Sequence, residues 1–359
     1  MFPPRPESFR GRTSELSVLS RLCRVPTPRR LALVGTGGSG KSTLACALGH
    51  HVRGYFPGGI EWFRVGGWDQ QTLLDMLAIR MRISRGVDRD RAWRIENIRR
   101  HLAQRGPTLI VLDNHEDDRA MAKLLNALAD APVTWLLTAR RCLLSGVSVF
   151  PVVAPLVTAG RNPFPRVAEL TRLLRWNPLA LDLANALVTS GATAAPELRQ
   201  WLLGRGVDRV TTIAHEDDLP EVGLLVDWVW ARLDAGARRL MAVLAHLQGD
   251  NVDEQSLLAL ARVQAKAPSL GLLRAWHMVQ QPLAGRYALH ATVRYAVEQR
   301  TSFDQRRAVR HYVRLLTSEP ARLDLEQTHL FAAMDYAHVT SDLGLALRVN
   351  KLLAQLGLE

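Results

Sequence analysis

Lysine is nearly missing from this chain. Of its 46 basic residues only four are lysine, at positions 41, 123, 266 and 351, and the other 42 are arginine. So strong a skew, beside abundant alanine and leucine, suggests the genome of a GC-rich bacterium as much as function. It weakens what a formal charge of +12 would otherwise say about a nucleic-acid partner. Cysteine is scarce too: Cys23, Cys46 and Cys142 are odd in number and fit neither a disulfide framework nor a metal-ligand spacing. No apolar run approaches the about 18–20 residues a membrane helix needs. The first residues, MFPPRPESFRGR, lack the long apolar core of a secretory signal. These absences point to a cytoplasmic protein without a membrane partner.

What is present is a folded-protein composition, 47% hydrophobic and 22% charged over 359 residues, enough for two to four units with their own cores. Within it stands LALVGTGGSGKST, Leu31 to Thr43. A short apolar strand runs into a glycine-rich turn, and STLACALGHHV follows with helical spacing at Leu44 and Leu48. Gly35 to Ser42 satisfies the phosphate-loop pattern G-x-x-x-x-G-K-[ST]. Glycines let the backbone wrap, and the amides from Gly38, Ser39 and Gly40 to Thr43, backed by a helix N-terminus, face an anion. Lys41 would reach the β- and γ-phosphates of ATP or ADP, and the Ser42 hydroxyl would serve Mg²⁺.

A metal-bound nucleotide needs an acid at the end of a neighbouring strand. PTLIVLDNHEDD supplies it: Leu109–Leu112 reads as a buried strand and Asp113 stands at its carboxyl end. The metal set is therefore Ser42 and Asp113. No acid directly follows Asp113, as one often does where water is activated quickly; Glu116 is the nearest substitute. That favours slow hydrolysis, although Glu116–Asp118 also suits a helix N-terminus. A third strand, Val133–Leu137, ends in Thr138 and Arg140, where a γ-phosphate would be sensed. Lys41, Asp113, Glu116 and Arg140 are thus the catalytic candidates. GGIEWFRVGG, Gly58–Gly67, is a further strand-like run, and strands alternating with helices give an α/β domain with a parallel sheet.

The densest basic stretch, Arg80 to Arg105, holds nine arginines against three acids. It reads as a helix with a basic face and Asp/Glu–Arg pairs; nucleic-acid contact is possible, but no base-reading motif accompanies it.

The order of further motifs is specific. FRGRTSEL (Phe9–Leu16), RWNPLAL (Arg175–Leu181) and YALHATVRYAVEQR (Tyr287–Arg300) surround GTGGSGKST, VLDN and LLTAR. Together, over roughly Phe9 to Arg300, they resemble the NB-ARC branch of the STAND signalling ATPases, bacterial type. The resemblance implies an α/β P-loop NTPase domain over 1–160, a small helical domain over 161–218, a winged-helix domain over 219–300 and C-terminal helices over 301–359. It also implies that Arg12 lines the base or ribose, that Pro178 lies against the adenine, and that His290 hydrogen-bonds the β-phosphate of ADP in a closed state. Trp176 replaces the family's usual Gly, so the local turn should differ. Ala291 replaces its Asp, removing one partner of the latch.

A nucleotide touching all these segments would act as a latch rather than an engine. ADP holds the closed form, exchange to ATP opens it for self-association, and hydrolysis is slow. The alternatives are the ATPase core of a bacterial transcriptional regulator and a nucleotide-binding scaffold without turnover. LLSGVS lacks the second Gly and the Gln of an ABC signature. LGLALRVNKLLAQL places Leu345, Val349, Leu352, Leu353 and Leu356 on one helical stripe, which could begin a repeat sensor. The effector or sensor partner is expected in trans or in a further part of the chain.

Overall fold

Apolar runs that alternate sides every residue build one five-stranded sheet. The computed structural model describes residues 2–5, 12–24, 29–66, 68–83, 91–153, 164–206, 220–247 and 251–356. Its strands β1 (Arg30–Val34), β2 (Ile60–Arg64), β3 (Thr108–His115), β4 (Val133–Ala139) and β5 (Ser148–Pro151) lie in the order β2-β3-β4-β1-β5, all parallel. On one face Leu31, Leu33 and Val111 meet Leu19 of α1 (Thr13–Cys23) and Leu44 and Leu48 of α2 (Lys41–Val52). On the other, Ile110, Leu112, Trp135 and Leu137 pack against α3 (Gln70–Arg80), α4 (Arg91–Arg105) and α5 (Asp118–Ala127). Burial on both faces explains why β3 and β4 are almost continuously apolar. With β4 between β1 and β3, the carboxyl ends of all three open onto one crevice, where open α/β sheets bind ligands.

The next unit is helical, with a small antiparallel sheet. A 3₁₀ turn (Pro165–Leu170) leads to α6 (Pro178–Thr189) and α7 (Ala195–Gly204), then α8 (Pro220–Trp230) and α9 (Ala235–His246). After these come β6 (Val252–Asp253), α10 (Glu254–Ala261), α11 (Ser269–Ala275), β7 (Gln280–Leu283), β8 (Arg286–Ala288) and α12 (Ala291–Glu298). The strand order is β6-β8-β7. One apolar cluster runs from Val167 through Leu181 and Val226 to Leu289. The expected boundaries at 160/161 and 218/219 fall outside the described residues, and the core carries no break between α6 and α8.

The C-terminal helices α13 (Gln305–Ser318), α14 (Leu323–Val339) and α15 (Leu343–Gln355) fold back onto the parallel-sheet domain. Val309, Leu316, Leu330, Phe331 and Leu345 share a core with Leu73 and Leu77 of α3, and Phe331 meets Trp68 edge-on at 6.5 Å. The same helices are pinned to the small sheet. Arg286 on β8 grips Glu326 on α14 through two bonds of 2.7 and 2.8 Å, both side chains buried, and Arg322 adds a contact to Asp253 at 3.0 Å. The segment 301–356 therefore bridges the other two units. No helix among the described residues is long and apolar enough to cross a membrane.

Candidate functional site

Backbone geometry at the glycine-rich turn is set by residues that need no Cβ. Gly38 and Gly40 take φ of 71° and 88°, a left-handed region open to glycine without strain. A Cβ on Gly38 would also lie 2.9 Å from Asn177 Oδ1, because the start of α6 docks on the loop tip. Helix α2 begins at Gly40 with no side-chain cap and no acid in its first turn. By contrast α3, α5, α9 and α13 each take an aspartate cap, from Asp69, Asp117, Asp234 and Asp304. The amides at the start of α2 are thus left for an anion.

Around that cradle the charges agree. Lys41 Nζ donates to the carbonyls of Gly35 and Thr36, both at 2.8 Å. Burial lowers its pKa to about 8; Asp113 acts against that and Arg140 with it. Asp113 is buried at the end of β3, where the register slips between Leu112 and His115 and Asn114 takes φ of 60°. Its Oδ1 accepts from Ser42 Oγ and from Thr138 Oγ1, each at 2.6 Å. Thr138 in turn accepts from the Asn114 amide at 2.9 Å. A serine hydroxyl and a carboxylate in contact are hard oxygen donors of the kind that suit Mg²⁺. No cluster of three or more His, Cys, Asp or Glu suited to a metal occurs among the described residues.

His290 comes from the far end of the chain. It caps α12, with Nδ1 accepting from the Thr292 amide at 3.2 Å, so the proton of the neutral ring sits on Nε2. Burial lowers its pKa to about 4, helped by the positive charges of Arg64, Lys41 and Arg140. A cavity of about 770 Å³ is lined by Lys41, Ser42, Arg64, Asp113, Arg140 and His290. Lys41, Arg64 and Arg140 facing one cavity beside the neutral His290 ring leave it suited to a polyanion. The phosphate end of a nucleotide fits this donor set.

Gly38, Gly40 and Thr43 line the same cavity, while Ser39 is fully buried beneath the loop. Three sequence candidates stand elsewhere. Arg12 braces the loop from behind, donating to the Ser39 carbonyl and to Val153 O at 2.9 Å; the rest of its GR motif lies outside the described residues. Pro178 is the first residue of α6, beside the cap Asn177, whose Nδ2 reaches Gly37 O at 3.3 Å. Glu116 accepts from Asn114 Nδ2 at 2.7 Å and is not among the lining residues. Trp176 and Arg175 adopt φ of 57° and 51°, so the turn keeps the left-handed backbone that glycine would favour. Two parts of the wall were missed. Arg64 stands at the carboxyl end of β2, where ligands lie in such sheets, but one arginine among 42 gave no distinct signal. Asp324, Gln327 and Thr328 of α14 carried no local signal.

The basic stretch Arg80–Arg105 is largely paired where it is described. Arg80 and Arg105 meet Glu61, Arg94 meets Asp75, and Arg100 meets Glu96. Residues 84–90 lie outside the described residues.

Comparison with known proteins bears on the domain and its fold. The NB-ARC domain model matches residues 13–149. A STAND protein with a tetratricopeptide repeat sensor from Pyrococcus horikoshii superposes with a TM-score of 0.55 at 16% identity, covering 99% of this chain and 59% of that one. The chain thus spans about three-fifths of that protein's length. The Aeropyrum pernix ORC1 protein, solved in complex with DNA, gives a TM-score of 0.34 at 13% identity over 82% of this chain and 94% of its own. A Walker-type ATPase of Pyrococcus abyssi gives 0.38 at 14% over 83% and 98%. No curated protein matches the sequence. Residues 13–149 thus match the NB-ARC domain model, and the chain as a whole is similar in fold to the Pyrococcus horikoshii STAND protein.

Proposed function

We propose that the chain is a nucleotide-operated switch, closed by ADP and opened for self-association by exchange to ATP. The observation that carries it is His290 standing in one cavity with Lys41, Arg64 and Arg140. The parallel-sheet domain supplies the phosphate loop and Asp113. The small-sheet unit, which we read as a winged helix, supplies His290. Lys41 and the α2 amides would hold the phosphates, and Ser42 and Asp113 would hold Mg²⁺. His290 would donate its Nε2 proton to the same anion, so that one polyphosphate ties both units together. A ligand shifts such an equilibrium only by its different affinity for the two arrangements, and a coupling of about 1–3 kcal/mol is usual.

Slow turnover fits the same geometry. Asn114 follows Asp113, and Glu116 is engaged by Asn114 away from the cavity wall, so neither the residue after Asp113 nor Glu116 offers a carboxylate to activate water. Arg140, which lines the same cavity, would sense the γ-phosphate.

His290→Ala should shorten the retention of ADP at least tenfold and raise the fraction of oligomer seen by light scattering. Unchanged retention and mass would reject the latch. Lys41→Ala should abolish nucleotide binding, and surviving affinity would reject the phosphate-site assignment.

A further inference from the structure

We propose that Arg64 reads the terminal phosphate of ATP and so gives the site its discrimination between ATP and ADP. The inference deepens the nucleotide reading above and rests on it. Arg64 ends β2, and the parallel register sets it directly beside Asp113 of β3. Neighbouring strands lie about 4.8 Å apart, a gap that an extended arginine side chain exceeds. The side chain also leaves the sheet on the face that carries the phosphate loop. Along β2 successive residues point to opposite faces. Phe63 joins the core with Leu73 and Leu77 of α3, whereas Trp62 joins Leu44 and Leu48 of α2. Arg64, two residues after Trp62, is therefore on the side of α2, and it lines the cavity with Lys41, Ser42 and Asp113.

Strand order decides which part of a nucleotide comes there. The phosphate loop follows β1, Arg140 follows β4, Asp113 stands near the end of β3 and Arg64 at the end of β2. In the sheet these strands are consecutive neighbours, β1, β4, β3, β2. A chain of phosphates that begins on the loop and runs along the strand ends meets Arg140, then Asp113, then Arg64. With Ser42 and Asp113 holding Mg²⁺, the last two phosphates of ATP would share that metal, so the terminal one would lie near Asp113 and within reach of Arg64. A diphosphate would end one group earlier. Electrostatics agree with this order. Arg140 opposes the charge of Lys41 at the loop, while Arg64 weighs more on His290 than Lys41 or Arg140 does.

What singles out Arg64 among 42 arginines is its half-buried place in the cavity wall beside the metal acid. The acids that share its surroundings are engaged otherwise. Asp113 accepts from the Ser42 and Thr138 hydroxyls, Glu61 meets Arg80 and Arg105, and Asp324 meets Arg82. The planar fork of arginine can hold two oxygens of one phosphate at once. A contact made to ATP and not to ADP supplies the difference in affinity without which a nucleotide shifts no equilibrium.

Calorimetric titration of the full chain with ADP and with the slowly hydrolysed analogue ATPγS, each with Mg²⁺, tests the assignment. Arg64→Gln should weaken ATPγS binding at least tenfold and ADP binding less than twofold, and the retained ADP affinity itself shows that the variant folds. Arg64→Lys, which keeps the charge but not the fork, should lose only about threefold for ATPγS. Unchanged ATPγS affinity in Arg64→Gln overturns the proposal. So does an equal loss for both nucleotides, which would make Arg64 a general attractor of anions or a support of the fold. A wild-type chain that binds neither nucleotide rejects the phosphate site and the role of Arg64 with it. A wild type that binds both, matched by Arg64→Gln, rejects the role of Arg64 alone.

Discussion

Lys41 shows how one residue's surroundings set a measurable property. Its ammonium is buried among phosphate-loop carbonyls, with Asp113 favouring the charge and Arg140 opposing it, and its pKa falls to about 8. A bound phosphate favours the charged form and would restore the proton. Above pH 8 the ligand-free lysine is increasingly neutral while the bound one stays charged, so nucleotide affinity should fall about tenfold per pH unit until the bound form also titrates. Fluorescent ADP titrated between about pH 7 and 9.5 checks this; Lys41→Arg, charged throughout, should flatten the profile. A pH-independent affinity in the wild type would show that Lys41 does not meet the phosphate. At this scale the phosphate loop, Asp113 and Arg140 were legible because each stands at a strand end with a spacing chemistry requires. Arg64 was not, because one arginine among 42 carries little signal by itself.

At the scale of elements, the junction of β8 with α14 rests on a buried ion pair. Glu326 is fully buried, and Arg286, Arg322 and His329 surround it. Burial works against its charge, but the hydrogen bonds from Arg286 prevail and hold its pKa below the usual carboxylate value. Removing one partner of such a pair leaves a buried charge alone, so Glu326→Gln should destabilise the protein by about 3–5 kcal/mol. Arg286→Met together with Glu326→Gln should recover part of that. Urea denaturation of the wild type and the two variants decides it; a loss near zero for Glu326→Gln would show that water reaches the pair. The strands β1 to β4 were readable from apolar runs bounded by turn residues. The edge strand β5 was not, because its four residues are exposed or half-buried and carry no alternation.

Two histidines link the units of the whole molecule and share one response to acid. His290 sits between the small-sheet unit and the phosphate loop. His329 of α14 bonds Asn251 O at 2.9 Å and stacks on Tyr312 at 3.9 Å. Burial is the leading cause that lowers each to a pKa of about 4. Between the ordinary value of about 6.5 and that lowered value, the unfolded chain binds protons that the folded chain refuses. Stability is therefore full above pH 6.5 and falls as pH drops toward 4, by up to about 1.4 kcal/mol per pH unit for each ring. Glu326, held charged in the fold, adds a further loss as pH falls below the usual carboxylate range. Denaturant midpoints at about pH 7, 5.5 and 4.5 should show this decline, with half the slope in His290→Asn, which keeps a cap acceptor on α12. A flat profile would mean that both rings titrate normally.

The sequence by itself determined the chemistry of the cradle and the class of the parallel sheet. Phosphate loops need glycine, lysine and hydroxyl within eight consecutive positions, and buried parallel strands need uninterrupted apolar runs; both are local requirements. Tertiary structure decided which distant segments reach that cradle. His290 and α14 arrive there because β8 is pinned to α14 by Arg286 and Glu326, and because α14 buries Leu330 and Phe331 against α3. Those contacts join residues some forty to more than two hundred and fifty positions apart. No periodicity or motif records them, since each depends on shape and charge meeting only after the chain has folded.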